Sequence, residues 1–287
     1  MHRTRVESDR YDTAHRSLAH WSEGKRAGME AFYELAGTDY RVLARARDWA
    51  ALLLDRATER GRVRLLDVAC GSGKFPSALL TEGLGFCVGE LSVEIDLLDP
   101  SPFSLEEARA ALAPPFRPAA SHQVPIQEFG PPQQSYDIVW ATHALYAVPP
   151  DALAEGLRRM TAALRPRGLG AIAHAPAASH YIAAHEAYRK SFAPEATPFV
   201  TAETVEKTLR ELGVELEVQR LRYRTHTSDD VVAERFMQRC LFDDTRSLKQ
   251  MLAPGPRGDE LARYLASCRH GDGWTFCHQA HLLTWEA

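Results

Sequence analysis

Short apolar runs, each bounded by Gly, Pro or Asp, recur along the chain and leave room for a helix between neighbouring runs. Runs of this length without polar alternation are typical of strands that are buried on both faces, as in a parallel sheet. Strands that alternate with helix-length segments indicate βαβ units. We therefore predict an α/β fold with a Rossmann-like sheet. The predicted strands are residues 64–69, 93–98, 136–141, 168–173, 215–223 and 280–285.

The segments outside these strands have a helical pattern. Before the first strand, apolar residues such as Val42, Trp49 and Leu53 recur at helical spacing with polar residues between them. A chain of 287 residues is consistent with one domain that carries additional helices. The predicted divisions are a helical N-terminal lid over residues 1–60 and a sheet domain over residues 61–287, with helical cap insertions at about 179–201 and 229–273.

The bulk composition disfavours several classes of protein. A net charge of -4 is unsuited to a nucleic-acid surface, which needs clustered positive charge for phosphate contacts. The five cysteines are widely spaced and contain no C-x-x-C pair, so neither a disulfide framework nor a metal site is expected. No apolar run is long enough to span a bilayer, so we expect a cytoplasmic protein without a membrane partner. A small-molecule substrate fits this composition, and the oligomeric state stays open.

The stretch R-L-L-D-V-A-C-G-S-G-K-F, residues 64–75, has the pattern of a buried strand followed by a Gly-x-Gly turn into a helix. Gly71 and Gly73 allow a tight turn and a close approach of the backbone to a ligand. The dinucleotide-binding fingerprint has a third glycine where this chain has Pro76, which disfavours a pyrophosphate ligand. Asp67, near the end of the strand, could lie close to a positively charged group instead. Two alternatives remain: turns and caps without a ligand, and an NAD-binding protein.

Polar residues also follow the later strands. Asp99 closes the second strand, where a carboxylate can accept hydrogen bonds from both hydroxyls of a ribose. Gln127 and Glu128 follow a further short strand, where an amide or a carboxylate could meet an adenine amino group. Thr142 and His143 lie at the carboxyl end of the fourth strand. Because ligands of open α/β sheets bind at that edge, we expect all these residues to face one crevice.

The ordered set of D-V-A-C-G-S-G, Asp99 and Y-D-I-V-W-A-T-H resembles the class I methyltransferases that use S-adenosylmethionine (SAM). In those proteins the first piece is the glycine motif, the acid binds the ribose, and the last piece is the fourth strand. The resemblance implies SAM as the cofactor and methyl transfer as the reaction. The predicted cofactor-binding residues are Asp67, Gly71, Gly73, Asp99, Pro100, Ser101, Gln127, Glu128 and Thr142.

A closer resemblance, to the histamine N-methyltransferase type, extends over most of the chain. The matching pieces are L-L-D-P-S, T-H-A-L-Y-A-V, Y-I-A-A-H-E-A-Y-R-K-S-F and the ending F-C-H-Q-A-H-L-L-T-W-E-A. This resemblance implies that Glu23 contacts a substrate amine and that Tyr181 and His185 form part of an aromatic wall. Together with aromatic residues of the lid, the predicted substrate-binding residues are Glu23, Trp21, Tyr33, Tyr146, Tyr181, His185 and His278.

The chain departs from that family at two positions: His143 stands where the family has Gln, and Ala147 stands where it has a second Tyr. Methyl transfer needs a base when the nucleophile is a ring N–H, a phenol or an indole carbon. His143 can fill that role because its ordinary pKa is near neutrality, and Tyr11 could orient it or share the proton. A purely positioning role for His143 stays equally open.

These observations predict a methyltransferase for a small heteroaromatic natural product, of the indole or imidazole type, in bacterial secondary metabolism. Some bacterial proteins of this general type methylate indole carbon three of tryptophan-containing cyclic dipeptides, and His143 in place of Gln suits removal of the indole proton. The alternative is a cyclase or binding protein that holds SAM without transferring its methyl group. An NAD-dependent oxidoreductase is disfavoured by Pro76.

Overall fold

We describe the protein from a computed structural model. The structure describes residues 12–57, 61–84, 91–130 and 134–287. Tyr11, the predicted partner of His143, lies outside the described residues. Within them, no helix is both long enough and apolar enough to cross a membrane.

A single sheet organises the described part of the chain, in the strand order β3-β2-β1-β4-β5-β8-β6 with β7 paired to β8. The strands from β3 to β5 in this order are mutually parallel, whereas β8 is antiparallel to both β5 and β6. The predicted Rossmann-like α/β fold is therefore confirmed. The strands are β1 Arg62–Val68, β2 Ser92–Leu98, β3 Phe116–His122, β4 Tyr136–Thr142, β5 Leu164–His174, β6 Glu217–Thr227, β7 Arg269–His270 and β8 Gly273–Glu286.

Two features of the sheet differ from the prediction. Strand β3 covers Phe116–His122, a segment that none of the predicted strand ranges includes. Phe116 is the only buried residue of this strand, because β3 is an edge strand, so no apolar run marks it in the sequence. Strand β8 begins at Gly273 rather than near residue 280, since it pairs with β6 along its whole first part.

Helices cover both faces of the sheet and its carboxyl end. Their starts carry side-chain caps at several positions, including Asp12, Ser101 and Asp229, each of which accepts a hydrogen bond from a backbone N–H of the first turn. The helices are α1 Thr13–His20, α2 Arg26–Arg45, α3 Trp49–Arg56, α4 Lys74–Ala78, α5 Pro102–Ala111, α6 Leu153–Ala163, α7 His180–Phe192, α8 Ala202–Glu211, α9 Asp230–Cys240, α10 Leu248–Met251 and α11 Glu260–Cys268. Short helical turns lie at Glu23–Lys25, Leu79–Gly83, Ile126–Glu128 and Leu145–Ala147.

The core has three parts. In one apolar cluster, the four helices from α2 through α5 pack on one face of the sheet, around Leu65 and Trp140. A second joins α6 and α8 with the opposite face, around Leu66 and Val139. The third connects α2 with α7, α9 and α11 and includes Phe236. Helix α2 contributes to the first and third clusters, so the N-terminal helices are held against both the sheet and the later helical insertions.

Candidate active site

One cavity opens at the carboxyl ends of β1, β2 and β4, between the sheet and helices α1, α2, α7 and α9. It encloses about 1390 Å³ when the space open to solvent is included. One wall, which we call the loop rim, consists of residues 69–71, 98–101 and 124–127 from the turns that follow β1, β2 and β3. The opposite part, which we call the aromatic chamber, is formed by Phe32, Tyr40, His143, Tyr146, Tyr181 and Phe199.

The two glycines of the turn after β1 both have left-handed backbone conformations, with φ of 52° at Gly71 and 66° at Gly73. Gly71 lies on the loop rim. Gly73 does not line the cavity, and a β-carbon there would lie 3.1 Å from the backbone of Ala108 in α5. Gly73 therefore allows two helices to pack closely and supports the turn from behind.

Asp99 joins the turns of the loop rim. Its carboxylate accepts hydrogen bonds from the backbone N–H of Gly71 at 3.1 Å and from that of Ser101 at 2.9 Å. Burial raises the pKa of Asp99 to about 6, and these two hydrogen bonds oppose the increase. At neutral pH the group is therefore mostly a carboxylate. Each oxygen has used one acceptor position, so lone pairs remain for ligand hydroxyls at the cavity wall.

Besides Gly73, two predicted cofactor contacts lie away from the cavity. Asp67 is 2% exposed, behind the glycine turn and beside Trp140, and burial raises its pKa to about 8. Glu128 is exposed to solvent, whereas its neighbour Gln127 lines the cavity, because the short helical turn directs them differently. Asp67 and Glu128 therefore do not reach a ligand in this cavity. The other predicted cofactor residues on its wall are Gly71, Asp99, Pro100, Ser101 and Thr142.

His143 lies immediately after β4 and connects the loop rim to the aromatic chamber. Its φ of 53° is left-handed, and its backbone N–H donates to the carbonyl of Ala173 at 2.8 Å. The Nδ1 atom lies 3.0 Å from the hydroxyl oxygen of Tyr146. In the tautomer with a proton on Nδ1, this group donates to Tyr146 and Nε2 is the basic nitrogen. Burial, with smaller effects of His174 and His278, lowers the pKa of His143 to about 3, so the ring is neutral at pH 7.

Of the predicted substrate contacts, four lie on the cavity wall, namely Trp21, Tyr33, Tyr146 and Tyr181. Glu23 does not, because its exposed carboxylate forms an ion pair with Arg26 at 2.7 Å. His185 is buried behind the wall, where its ring stacks on Phe199 with 3.6 Å between the centroids.

His278 lies deeper, in β8. Its Nε2 is 2.9 Å from the hydroxyl of Thr225 across the β6–β8 pairing, and its ring is 1% exposed. His278, a predicted substrate contact, therefore lies in the core next to the chamber and does not line the cavity.

Two charged residues that the sequence analysis missed line the cavity. Arg239 of α9 is 4% exposed, and its guanidinium lies 4.6 Å above the Trp21 ring. Its Nε and Nη2 atoms have no hydrogen-bond partner in the described part of the chain. Asp39 of α2 is 3% exposed and accepts a hydrogen bond from the Tyr181 hydroxyl at 2.5 Å, but its Oδ1 atom has no partner there.

Helical spacing is the signal that could have found both residues. Asp39 falls four residues from Leu35 and from Leu43, which are buried on the same face of α2. Arg239 likewise lies between Phe236 and Cys240 on the buried face of α9. A charged residue on an otherwise apolar helix face is expected to need a partner, either in the protein or in a ligand.

Comparison with known proteins identifies the class to which this cavity belongs. Residues 65–168, which include the loop rim and β4, match the family model of a methyltransferase domain. Among solved structures, the YcgJ protein of Bacillus subtilis has a TM-score of 0.53 and 15% identity, over 83% of this chain and 97% of that one. A SAM-dependent methyltransferase of Leishmania major has a TM-score of 0.51 and 16% identity, over 94% of this chain and 82% of that one. No curated protein sequence matches the chain.

The structural similarities show the shared fold, and the sequence match adds the family of the central segment. The chain therefore contains a class I SAM-dependent methyltransferase domain. It is a methyltransferase, and SAM is its cofactor, as the sequence predicts.

Proposed function

We propose that this methyltransferase transfers the methyl group of SAM to a small heteroaromatic compound of the indole or imidazole type, in secondary metabolism. The observation that supports this proposal is the continuity of the cavity, in which the loop rim opens directly into a chamber walled by aromatic rings and His143. Flat aromatic walls favour a flat aromatic ligand through stacking and edge-to-face contacts. The space beyond the rim suits a small molecule.

The loop rim and its neighbours fit the parts of SAM. The free lone pairs of Asp99 suit the ribose hydroxyls, and the Gln127 side chain suits the adenine edge. Arg239 offers two unpaired donors on the same cavity, and we assign them to the carboxylate of the cofactor. Trp21 and Tyr33 cover this end of the cavity from the N-terminal helices, which we propose act as a lid. When bound, SAM supplies an electrophilic methyl group.

The residues of the chamber then orient the acceptor ring and receive its proton. The centroid of the Tyr146 ring lies 6.0 Å from that of Tyr181 and 5.6 Å from that of Phe199. Together these rings hold the acceptor in one plane. His143 is neutral at pH 7, so its Nε2 atom can accept a proton or a hydrogen bond. The cation formed by methylation of an indole carbon is a strong acid, and even a weakly basic imidazole can accept its proton.

The experiment is a labelling assay with the purified chain and methyl-labelled SAM. The acceptors are a panel of indoles, imidazoles and tryptophan-containing cyclic dipeptides. We expect label in at least one member, together with SAM binding and no binding of NAD in a calorimetric titration. Labelling of a different compound class, with the whole panel unlabelled, would contradict the proposed substrate. Binding of SAM without any transfer would favour a cyclase or a binding protein.

A further inference from the structure

Asp39 is the carboxyl group of the aromatic chamber. It lies near the middle of α2, on the helix face that packs into the core, and is 3% exposed. The Tyr181 hydroxyl donates to Oδ2 at 2.5 Å. The Oδ1 atom is buried and has no hydrogen-bond partner among the residues that the structure describes. Because Asp39 lines the cavity, a bound molecule can reach this oxygen.

A buried acceptor without a partner destabilises the protein by the desolvation cost of that group, and more so when the group is charged. Burial accordingly raises the pKa of Asp39 to about 7, although the Tyr181 hydrogen bond opposes the increase. A ligand cation beside Oδ1 would compensate for this cost by an ion pair and a hydrogen bond at once. A neutral ligand would supply the hydrogen bond alone.

The surroundings of Asp39 also favour a cation. The rings of Tyr40, Tyr146 and Tyr181 line the same chamber, and the negative face of an aromatic ring attracts a positive charge. Tyr40 follows Asp39 on α2, and its ring meets the His143 ring edge-on at 5.7 Å. The carboxyl group and the proton-accepting imidazole therefore line the same cavity.

We infer that the substrate of this site carries a protonated amine, and that Asp39 Oδ1 accepts a hydrogen bond from it. This inference rests on the proposed function and narrows its substrate class from heteroaromatic compounds in general to aromatic amines with a basic nitrogen on a short chain. Asp39 thereby takes the role that sequence resemblance assigns to Glu23, whose exposed carboxylate is paired with Arg26.

Tyr223 offers an alternative partner for the carboxyl group. Its buried hydroxyl has no hydrogen-bond partner within the described segments, and it is close enough to Asp39 to lower the pKa of that carboxyl. A small rotation of Tyr223 toward Oδ1 would satisfy the oxygen without a ligand. The two possibilities differ in one respect, because only an amine site distinguishes a charged ligand from a neutral one of the same shape.

The experiment measures equilibrium binding rather than turnover. The full chain is saturated with S-adenosylhomocysteine, which has no methyl group to transfer, and titrated with two matched pairs by calorimetry at pH 8. Each pair exchanges an ammonium for a hydroxyl on the same ring and chain: tryptamine against tryptophol, and histamine against its alcohol analogue. We expect the amine of at least one pair to bind about tenfold more tightly or better, which corresponds to about 1.4 kcal/mol.

Three variants locate the preference. Asp39→Asn should reduce it to less than about twofold while the affinity for S-adenosylhomocysteine is retained, which also shows that the variant is folded. Glu34→Gln is the matched control, because it removes a carboxylate from the exposed face of the same helix and should leave the preference intact. Glu23→Gln should also leave it intact.

The inference is overturned if the wild-type protein binds amines and alcohols equally, or binds neither. It is also overturned if Asp39→Asn retains the preference, or if Glu23→Gln removes it. A protein that binds S-adenosylhomocysteine and labels the acceptor panel, but shows no amine preference, would refute the role of Asp39 alone. A protein that fails to bind S-adenosylhomocysteine would instead refute the assignment of the cofactor site.

Discussion

The loop rim and the aromatic chamber share one cavity but are built in opposite ways. The rim consists of three short turns that each follow a strand, and the Asp99 carboxylate on its wall accepts backbone N–H groups from two of these turns. The chamber consists of side chains from α2, from the turn after β4, from α7 and from the loop after α7, and α2 precedes the other three segments by about 100 residues or more. A site made of strand ends follows from the sheet itself, whereas a site made of helix faces depends on how distant helices pack.

The two regions also differ in the buried groups that titrate, which are mainly carboxyl groups near the rim and mainly imidazoles in and behind the chamber. Near the rim, burial raises the pKa of Asp67 to about 8 and that of Asp99 to about 6. In and behind the chamber, burial lowers the pKa of His143 and His278 to about 3. Both regions disfavour buried charge, since burial raises the pKa of carboxyl groups, including Asp39 in the chamber, and lowers the pKa of imidazoles. The four predictions below test this comparison.

Acidification should produce the largest effect. Seven described histidines have lowered pKa values: His20, His143, His174, His180, His185, His278 and His281. As the pH falls below their ordinary pKa of 6.5 toward the lowered values, which are about 3 for His143, His185 and His278, the unfolded chain binds protons that the folded chain excludes, so stability falls. Each such proton changes the free energy of unfolding by about 1.4 kcal/mol per pH unit.

The carboxyl groups whose pKa is raised by burial oppose this trend only in part. Asp67 contributes stability that is complete below its unfolded pKa of 3.8 and is lost as the pH rises through about 8. Since the histidines outnumber the raised aspartates, urea unfolding should show a loss of several kcal/mol between about pH 6.5 and 4.5. His185→Phe, which keeps the stack on Phe199, should reduce the proton uptake on unfolding by about one. A flat stability profile would contradict the comparison.

Removal of the imidazole from the chamber should affect turnover and leave the rim intact. We choose His143→Asn because asparagine tolerates the left-handed backbone at this position, where φ is 53°. The kcat value should fall by about 100-fold or more, as expected for loss of a general base, while the Kd for SAM stays within about twofold. A fall in kcat of less than about tenfold would indicate that His143 positions the substrate and does not act as the base. A large change in Kd would show that the two regions are not separable at this residue.

Arg239 tests where the boundary between the regions lies. It belongs to α9, yet we assign its free donors to the cofactor carboxylate. Arg239→Met should weaken SAM binding by about 10- to 100-fold, because hydrogen bonds to a charged group contribute about 1.5–3 kcal/mol. The melting temperature of the ligand-free protein should not fall, since the variant removes a buried cation whose Nε and Nη2 atoms have no hydrogen-bond partner among the described residues. Arg235→Met, on the exposed face of the same helix, is the control. Unchanged SAM affinity would contradict the assignment of Arg239 to the cofactor and would favour a contact with the substrate.

The smallest effects should come from two glycines in different settings. Gly73→Ala should destabilise the protein by about 1–3 kcal/mol, because its φ is 66° and the new methyl would meet the backbone of Ala108. Gly28→Ala should stabilise it by about 0.5–1 kcal/mol, because this helical position of α2 has open space around it. Denaturant unfolding of both variants measures the difference. Equal effects would mean that the turn after β1 is not constrained by close helix packing.

The rim was largely predictable from the sequence and the chamber only in part, for physical reasons. Strand ends, glycines and the acid at Asp99 are marked by contiguous patterns. Asp67 matches the same pattern but points into the core beside Trp140, since a strand alternates its faces and one residue decides the direction. Asp39 meets Tyr181, 142 residues further on, and no local pattern indicates that pairing.

Trp21 joins three parts of the molecule that are distant in the chain. Its backbone carbonyl accepts a hydrogen bond from the Ser101 hydroxyl at 2.6 Å, and its ring lies beneath the Arg239 guanidinium. Withdrawal of the N-terminal segment would therefore break a contact to the sheet and a contact to α9 in one event. We expect departure of the spent nucleoside to require this concerted opening, in which the contacts of Trp21 to Ser101 and to Arg239 are lost together.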